Sequence, residues 1–452
     1  MTFAGITVIP DLDAPDLPSC VDYTKTLSKR GTHELLAAAR ESGQVLVQPR
    51  CGVGDHGRMV ALLRELHEGA EPDVLSVTID AHTRLSRFAE AERALHEDPS
   101  RLNGYPLVAH GWRRGRELNE SVPVPLEVRH GSPDPRQLFV VAIASGITSF
   151  EGGGIAYNLP YVKDVPLTAS LRAWQEVDQA CGLLARHGVI VERELFGTLT
   201  AVLMPPALSL AVCVLEAVRA AQAGVRCLTM AYPQGGHAVQ DVAALTSIPV
   251  LAARYLPDHV EVYPVLHQFM GPFPADPAVA DALILYGGLV ARWGGATKVV
   301  VKTNQEAHGI PDAAANIRGM RTTRVALSHL MDGFGVDDTA VRQEREWILG
   351  EVAELVDPLL AAPDLTEAIT TAFRSGRLDV PFSASVHAHS AVLPVRDPAG
   401  AIRIGRFGSL SLSEQTRKRH RALIGAGEPG DDRATSIAAV TADIQRFSAY
   451  AP

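Results

Sequence analysis

Nine short apolar runs, most of them separated by helical stretches, constrain this chain more than any other feature. They are Val45–Gln48, Val74–Ile79, Leu107–Ala109, Val124–Val128, Ile147–Phe150, Val189–Glu194, Cys227–Ala231, Val260–Leu266 and Val299–Val301. Runs of this length ending in polar residues or glycine read as strands buried on both faces. The segments between them carry helical periodicity, as in Met59–Glu68, Leu85–His96, Thr168–His187, Pro206–Ala223 and Pro277–Trp293. Repeated βα units imply a parallel sheet, either closed into a barrel or open and doubly wound. No GxGxxG follows the first strand, which argues against a dinucleotide-binding fold. Polar residues gather at the C-terminal ends of many different strands, as they do in barrel enzymes. The expected fold is therefore an α/β protein built on a (β/α)8 TIM barrel. A barrel needs eight strands, so one run is surplus, and Leu107–Ala109 reads as an accessory strand. The expected division is an N-terminal extension over 1–42, the barrel over 43–335, and a C-terminal α+β extension over 336–452. In the last, Val341–Leu360 reads as a helix and Val392–Pro394 with Ile402–Phe407 as a hairpin.

The 452 residues include 46% hydrophobic residues, enough for a large core. The first residues lack a basic stretch followed by an apolar one, so no signal peptide is expected. No apolar run is read as reaching the roughly 18–20 residues of a membrane span. Five scattered cysteines contain no CxxC pair, which argues against a disulfide framework or a bound metal. A cytoplasmic protein is expected. Net charge is −9 and the densest basic stretch is only Arg417–Arg421, so neither nucleic acid nor membrane is an expected partner. Lysine is scarce, with six against 36 arginines. Lys298 and Lys302, close together after a long gap, therefore stand out.

The segment Glu151-Gly152-Gly153-Gly154-Ile155-Ala156-Tyr157-Asn158-Leu159-Pro160-Tyr161 groups one acid and two phenols around three glycines. Glycines there would let a flat ligand approach the backbone. Three arginines close three strands: Arg50 after VLVQP, Arg84 after SVTIDAHT and Arg129 after VPLEV. A guanidinium aimed into a barrel mouth needs an anion, and its fork matches carboxylate or phosphate. The alternative is that each pairs with a strand-end acid such as Asp80 or Glu127. Lys298 and Lys302 fall on one face if the strand continues, and Lys302 opens KTNQE, ending at Glu306. A strand-end salt bridge is the competing reading. His267, in HQFMG, reads as a supporting residue rather than a catalyst.

These motifs resemble the catalytic (epsilon) subunit of glutamate mutase, also called methylaspartate mutase. The resemblance runs over about residues 43–425. It rests on the glycine segment, on Gln48-Pro49-Arg50-Cys51-Gly52, on Thr78-Ile79-Asp80-Ala81-His82-Thr83-Arg84, and on Val128-Arg129-His130-Gly131. It implies that Arg50, Arg84 and Arg129 grip the two carboxylates of L-glutamate or a related dicarboxylate. Glu151 would contact the substrate ammonium, and Tyr157 and Tyr161 would help hold a carboxylate. Gly52, Asn103, Phe196, Thr200, Lys298, Lys302 and Glu306 would lie against the adenosyl cofactor, with Glu306 on the ribose. The implied reaction is the adenosylcobalamin-dependent radical isomerisation of L-glutamate to 3-methylaspartate. A homodimer within a heterotetramer is implied by the same analogy. Departures are His82, which replaces an aromatic residue beside Arg84, and the divergent stretches Ala231–His237 and His110–Glu117.

A cobalt-ligating DxHxxG is missing. The nearest stretch, Asp80-Ala81-His82-Thr83-Arg84-Leu85, has leucine at the glycine position. The cobalt ligand is therefore expected from a separate small cobalamin-binding subunit. The same radical chemistry on another amino or hydroxy dicarboxylic acid stays open. So do a cobalamin-independent barrel lyase using Lys302 as a Schiff-base lysine, and a non-catalytic dicarboxylate-binding protein.

Overall fold

The computed structural model describes residues 2–10, 12–425 and 433–448. The chain opens with a two-stranded ladder, β1 (Thr2–Phe3) and β2 (Ile6–Thr7). Eight parallel strands follow: β3 (Leu46–Gln48), β4 (Leu75–Thr78), β5 (Leu126–Arg129), β6 (Ser149–Glu151), β7 (Glu192–Leu195), β8 (Cys227–Pro233), β9 (Glu261–His267) and β10 (Lys298–Val300). Their order is β3-β10-β9-β8-β7-β6-β5-β4. Two backbone hydrogen bonds, Asp73 N to Val47 O at 3.0 Å and Thr78 N to Cys51 O at 2.9 Å, bring the two ends of the sheet together. The sheet is thus a nearly closed barrel, with helices outside it as the right-handed βα crossover requires.

The surplus run, Leu107–Ala109, is a correction. It begins the helix Leu107–Glu120. Pro106 sits just ahead of it, a position where proline favours helix entry. Gly111, at φ +74°, breaks the helix four residues on and leaves the apolar LVA to look isolated. The other eight runs coincide with strands to within a few residues. Helices Pro206–Ala223 and Pro277–Trp293 start and stop at the residues read from the sequence. The first starts with proline and stops at Gly224, in the left-handed conformation at φ +102°.

Helix Pro206–Ala223 also corrects the membrane reading, because it has the length and apolar composition of a span. It is 78% buried inside the protein. Its buried residues run all the way round because β7 and β8 lie on one side and helix Asp338–Leu360 covers the other. That second helix belongs to the C-terminal layer, with helix Leu365–Arg374 and the hairpin β11 (Leu393–Arg396)–β12 (Ile402–Arg406). Gln240 pins the hairpin to the barrel by accepting from Ile402 N at 2.8 Å and donating to Ile402 O at 3.0 Å. At the other end, helix Thr32–Ser42 seats Leu36 and Ala39 on Leu46, Cys227 and Tyr263, closing the barrel's base.

The barrel lumen is unusual. Small barrels fill it mainly with branched aliphatic side chains. Here Gln48 donates to Ser76 at 2.9 Å, and Glu127, Ser149, Glu192, Thr229 and Lys298 meet across it, all with at most 0% exposure. Such a lumen folds only if every charge finds a partner.

Candidate active site

The C-terminal ends of the strands place the candidate residues. Arg129 ends β5 and Glu151 ends β6, side by side in the parallel sheet. Arg50 lies two residues beyond β3. Arg84 sits in a short helix, Ala81–Arg84, which starts where Asp80 accepts from His82 N at 2.9 Å and Thr83 N at 3.1 Å. Asp80 is thereby engaged as a cap and not as Arg84's partner. All three arginines lie near enough to the Tyr161 phenol to act on its charge. Burial pushes that phenol up and Glu151 pushes it further, while Arg50, Arg84 and Arg129 each pull it back. Tyr161 keeps 42% of its surface open. The Nε of Arg50 is buried with no hydrogen-bond partner among the described residues.

Arg129 is differently placed. Its guanidinium, 3% exposed, contacts Glu127 at 2.6 Å, Glu194 at 2.9 Å, and Glu151. The alternative of a strand-end acid thus holds for Arg129, whose neighbour Glu127 is its partner. Tyr157, fully buried, donates its hydroxyl to the other oxygen of Glu151. Burial raises the Glu151 carboxyl to about 8, against the pull of Arg129. His267 ends β9 and its Nε2 lies 2.8 Å from Glu194. Burial lowers the imidazole to about 4, so it is neutral near pH 7. The carboxylate then assigns the proton to Nε2 and leaves Nδ1 as a buried acceptor without a partner.

Two glycines of the segment are required by the protein's own packing. Gly152 has φ +120°, and a Cβ there would lie 2.4 Å from the Tyr157 ring and 2.6 Å from Trp174. A Cβ on Gly153 would fall 2.2 Å from the Glu216 carboxylate. Glu216, on helix Pro206–Ala223, accepts from Ile155 N at 2.7 Å and Ala156 N at 3.0 Å. From the other side Arg193 donates to Phe150 O at 2.5 Å and Gly152 O at 2.9 Å, with Asp178 2.9 Å from its Nε. Two buried side chains of opposite charge therefore clamp the backbone beside Glu151. Sequence reasoning missed both. For Glu216 the signal was present, since a carboxylate in an apolar helix needs a buried partner; Arg193 was masked by Glu192 and Glu194 on either side of it.

The expected cofactor residues fall into two places. Lys302, just past β10, holds Glu306 at 2.8 Å, and the Glu306 carboxylate remains 20% exposed. Gly52 and Gly104 pack where β3 and β4 meet, with a Cβ on either falling 2.4 and 2.7 Å from Thr78 O. The Asn103 carbonyl accepts from Ala81 N at 2.9 Å. Phe196 stacks between Tyr157, at 5.2 Å, and His267, at 5.3 Å. Thr200 bonds its own turn through Val202 O at 3.2 Å. Lys298 is elsewhere: fully buried in the lumen, it lies among Glu127, Glu192 and Glu194. The expectation that it contacts a cofactor does not fit that position.

The family model of the methylaspartate mutase E chain (MutE) matches residues 28–450. The glutamate mutase epsilon subunit of Desulfitobacterium hafniense (strain Y51) is 40% identical over 446 residues, covering 95% of this chain and 91% of that one. That of Halobacterium salinarum is 40% identical over 442 residues, covering 96% and 92%. That of Escherichia coli O157:H7 is 39% identical over 448 residues, with coverage of 96% and 92%. Among solved structures, N-(5'-phosphoribosyl)anthranilate isomerase from Pyrococcus furiosus aligns at a TM-score of 0.33 and 12% identity, covering 62% of this chain and 99% of that one, too low to bear on fold or function. With its near full-length matches to the family model and to these relatives, this chain belongs to the methylaspartate mutase E-chain family.

Proposed function

We propose that this chain is the catalytic subunit of a glutamate mutase, rearranging L-glutamate to 3-methylaspartate in the cytoplasm. The observation that carries this reading is that Arg129 and Tyr157 both contact Glu151, with the Tyr161 ring 5.3 Å from that of Tyr157 and Arg50 and Arg84 near enough to act on the Tyr161 phenol. Two carboxylates and one ammonium are the ligand groups that such a set complements. The arginines would hold the carboxylates, with Tyr157 and Tyr161 donating further hydrogen bonds. Glu151 would take the ammonium in place of Arg129. Fixing the substrate at both ends keeps its parts in register while the carbon skeleton is rearranged. The Tyr157 and Phe196 rings, both buried, wall off water from that space.

The residues present suit an adenosylcobalamin cofactor. A partly open Glu306 carboxylate steadied by Lys302 is the acceptor that a ribose diol needs. When bound, adenosylcobalamin supplies a carbon radical by homolysis of its cobalt–carbon bond. We assign the cobalt ligand to a small cobalamin-binding subunit and the assembly to a heterotetramer built on a homodimer of this chain. The catalytic unit is residues 43–335, with 1–42 at its base and 336–452 as the added layer.

The test is to combine the purified chain with such a small subunit, adenosylcobalamin and L-glutamate, and to follow 3-methylaspartate by mass spectrometry. Product that depends on every component supports the reading. Cob(II)alamin and radical signals with a different dicarboxylic acid alone would change the substrate and keep the chemistry. A second reading has one observation in its favour: burial lowers the Lys302 ammonium, as a Schiff-base lysine requires. Borohydride trapping of a substrate on Lys302 would replace the mutase reading with the lyase.

A further inference from the structure

Lys298 is a fully buried charge that the proposed function leaves unused. It enters from β10, while Glu127 comes from β5 on the far side of the lumen. Its Nζ touches Glu127 and lies 2.8 Å from Glu194. Those same two carboxylates contact Arg129 at 2.6 and 2.9 Å. The four groups form a closed ring of alternating charge, Arg129–Glu127–Lys298–Glu194, with every member at most 3% exposed.

A third carboxylate, Glu192, lies 4.0 Å from Lys298. The hydroxyl of Ser149 sits between Glu192 and Glu127, 3.2 Å from the latter. A hydroxyl has one proton and cannot donate to both. The arrangement is satisfied if Glu192 is a neutral acid that donates to Ser149, which in turn donates to Glu127. The ring then holds two cations and two anions and is electrically closed, as a dry lumen demands.

The consequence concerns Arg129. Glu127 and Glu194 both engage its Nη1, and Nη2 is left pointing at Glu151. Without Lys298 the two carboxylates would repel each other 65 and more residues apart in sequence but adjacent in space, and Arg129 would be drawn down between them. We infer that Lys298 is a positioning residue for Arg129, holding Glu127 and Glu194 so that one guanidinium nitrogen is fixed below and the other is presented to ligand. This rests on the reading of Arg129 as a carboxylate-binding group.

The test uses the full chain with charge kept balanced. Lys298→Met/Glu194→Gln removes one cation and one anion together, and Lys298→Arg keeps the cation. L-Glutamate affinity is measured by calorimetry beside Arg129→Lys. The double variant is expected to bind glutamate at least tenfold more weakly with its circular dichroism unchanged, and Lys298→Arg to regain part of the loss. Native affinity in a folded double variant, beside an Arg129→Lys that has lost binding, overturns the inference. A crystal structure of the double variant decides the same point without any substrate. A guanidinium displaced from its wild-type position supports the role, and an undisturbed one overturns it. If the wild-type chain itself fails to bind glutamate, the functional reading fails and the crystal structure still decides the role of Lys298.

Discussion

Arg129 and Glu151 are ion-paired, so in the proposed function the group that would grip a carboxylate and the group that would accept an ammonium satisfy each other until a ligand separates them. An amino dicarboxylate can replace both halves of that pair, its carboxylate on Arg129 and its ammonium on Glu151. A dicarboxylate without an amino group leaves Glu151 buried without its partner, which is costly.

That exchange makes binding depend on pH. Burial raises the Glu151 carboxyl to about 8, so its pair with Arg129 is fully charged only above that pH, and below it a proton must leave before Glu151 can receive an ammonium. Glutamate affinity is expected to rise between pH 6 and 8, with proton release seen as a buffer-dependent heat in calorimetry. Glu151→Gln is expected to lose that slope and to bind about 10–100-fold more weakly, the worth of one charge-assisted hydrogen bond at about 1.5–3 kcal/mol. An unchanged slope in this variant would remove Glu151 from the ammonium site.

Glu192 sets a stability trend of its own. Burial raises its carboxyl to about 7 in the folded chain, above its ordinary value of 4.5. The folded protein therefore binds a proton that the unfolded chain has lost, and this stabilisation disappears as pH rises from about 4.5 through 7. Glu192→Gln can still donate to Ser149 and accept from Thr229. The melting temperature of wild type is expected to fall more steeply than that of Glu192→Gln between pH 5 and 8, with the variant equal or higher at pH 8. Parallel curves for the two proteins would mean that Glu192 is ionised in the lumen.

Gly152 offers a test of the loop. Alanine there meets both a φ of +120° and contacts at 2.4 and 2.6 Å with Tyr157 and Trp174. Strain and overpacking together should cost roughly 2–5 kcal/mol. Gly43, at φ +69° with open space around it, is the control, and alanine there should cost about 1 kcal/mol. Denaturant melts of both variants measure the difference, and equal losses would show that the packing against Tyr157 yields freely.

The barrel was legible because eight of nine apolar runs are buried strands and their spacing admits few other topologies. The ninth was misread because Gly111 interrupts the helix that Leu107 begins, hiding its period. The three arginines were legible because each follows a strand, although only Arg129 ends one: Arg50 lies two residues past β3 and Arg84 in the helix after β4. The lumen was not. Glu127 and Arg129 on β5, like Glu192 and Glu194 on β7, alternate at the period of a solvated strand face. Only closure of the sheet shows that this polar face looks inward, where its charges meet Lys298 from β10. The need for glycine at 152 and 153 was equally hidden, since it is set by Trp174 and Glu216 on distant helices.

Arg50 is expected to show that binding and stability are opposed at this site. Its Nε is buried without a partner, and its charge disfavours the charged forms of Lys302 and His267 nearby. A half-buried cation with no anion among the described residues adds nothing to stability, so Arg50→Ala should leave the melting temperature unchanged or raise it. The same change deletes a guanidinium fork from the carboxylate site. Glutamate binding should weaken by about 30–1000-fold, or about 2–4 kcal/mol, as for a lost bidentate ion pair. Arg50→Lys should fall between, because an ammonium keeps the charge but not the fork. Thermal melts and calorimetry on the three proteins give both quantities. A large loss of melting temperature with affinity retained would make Arg50 a structural residue, and the site would then grip its ligand with Arg84 and Arg129 alone.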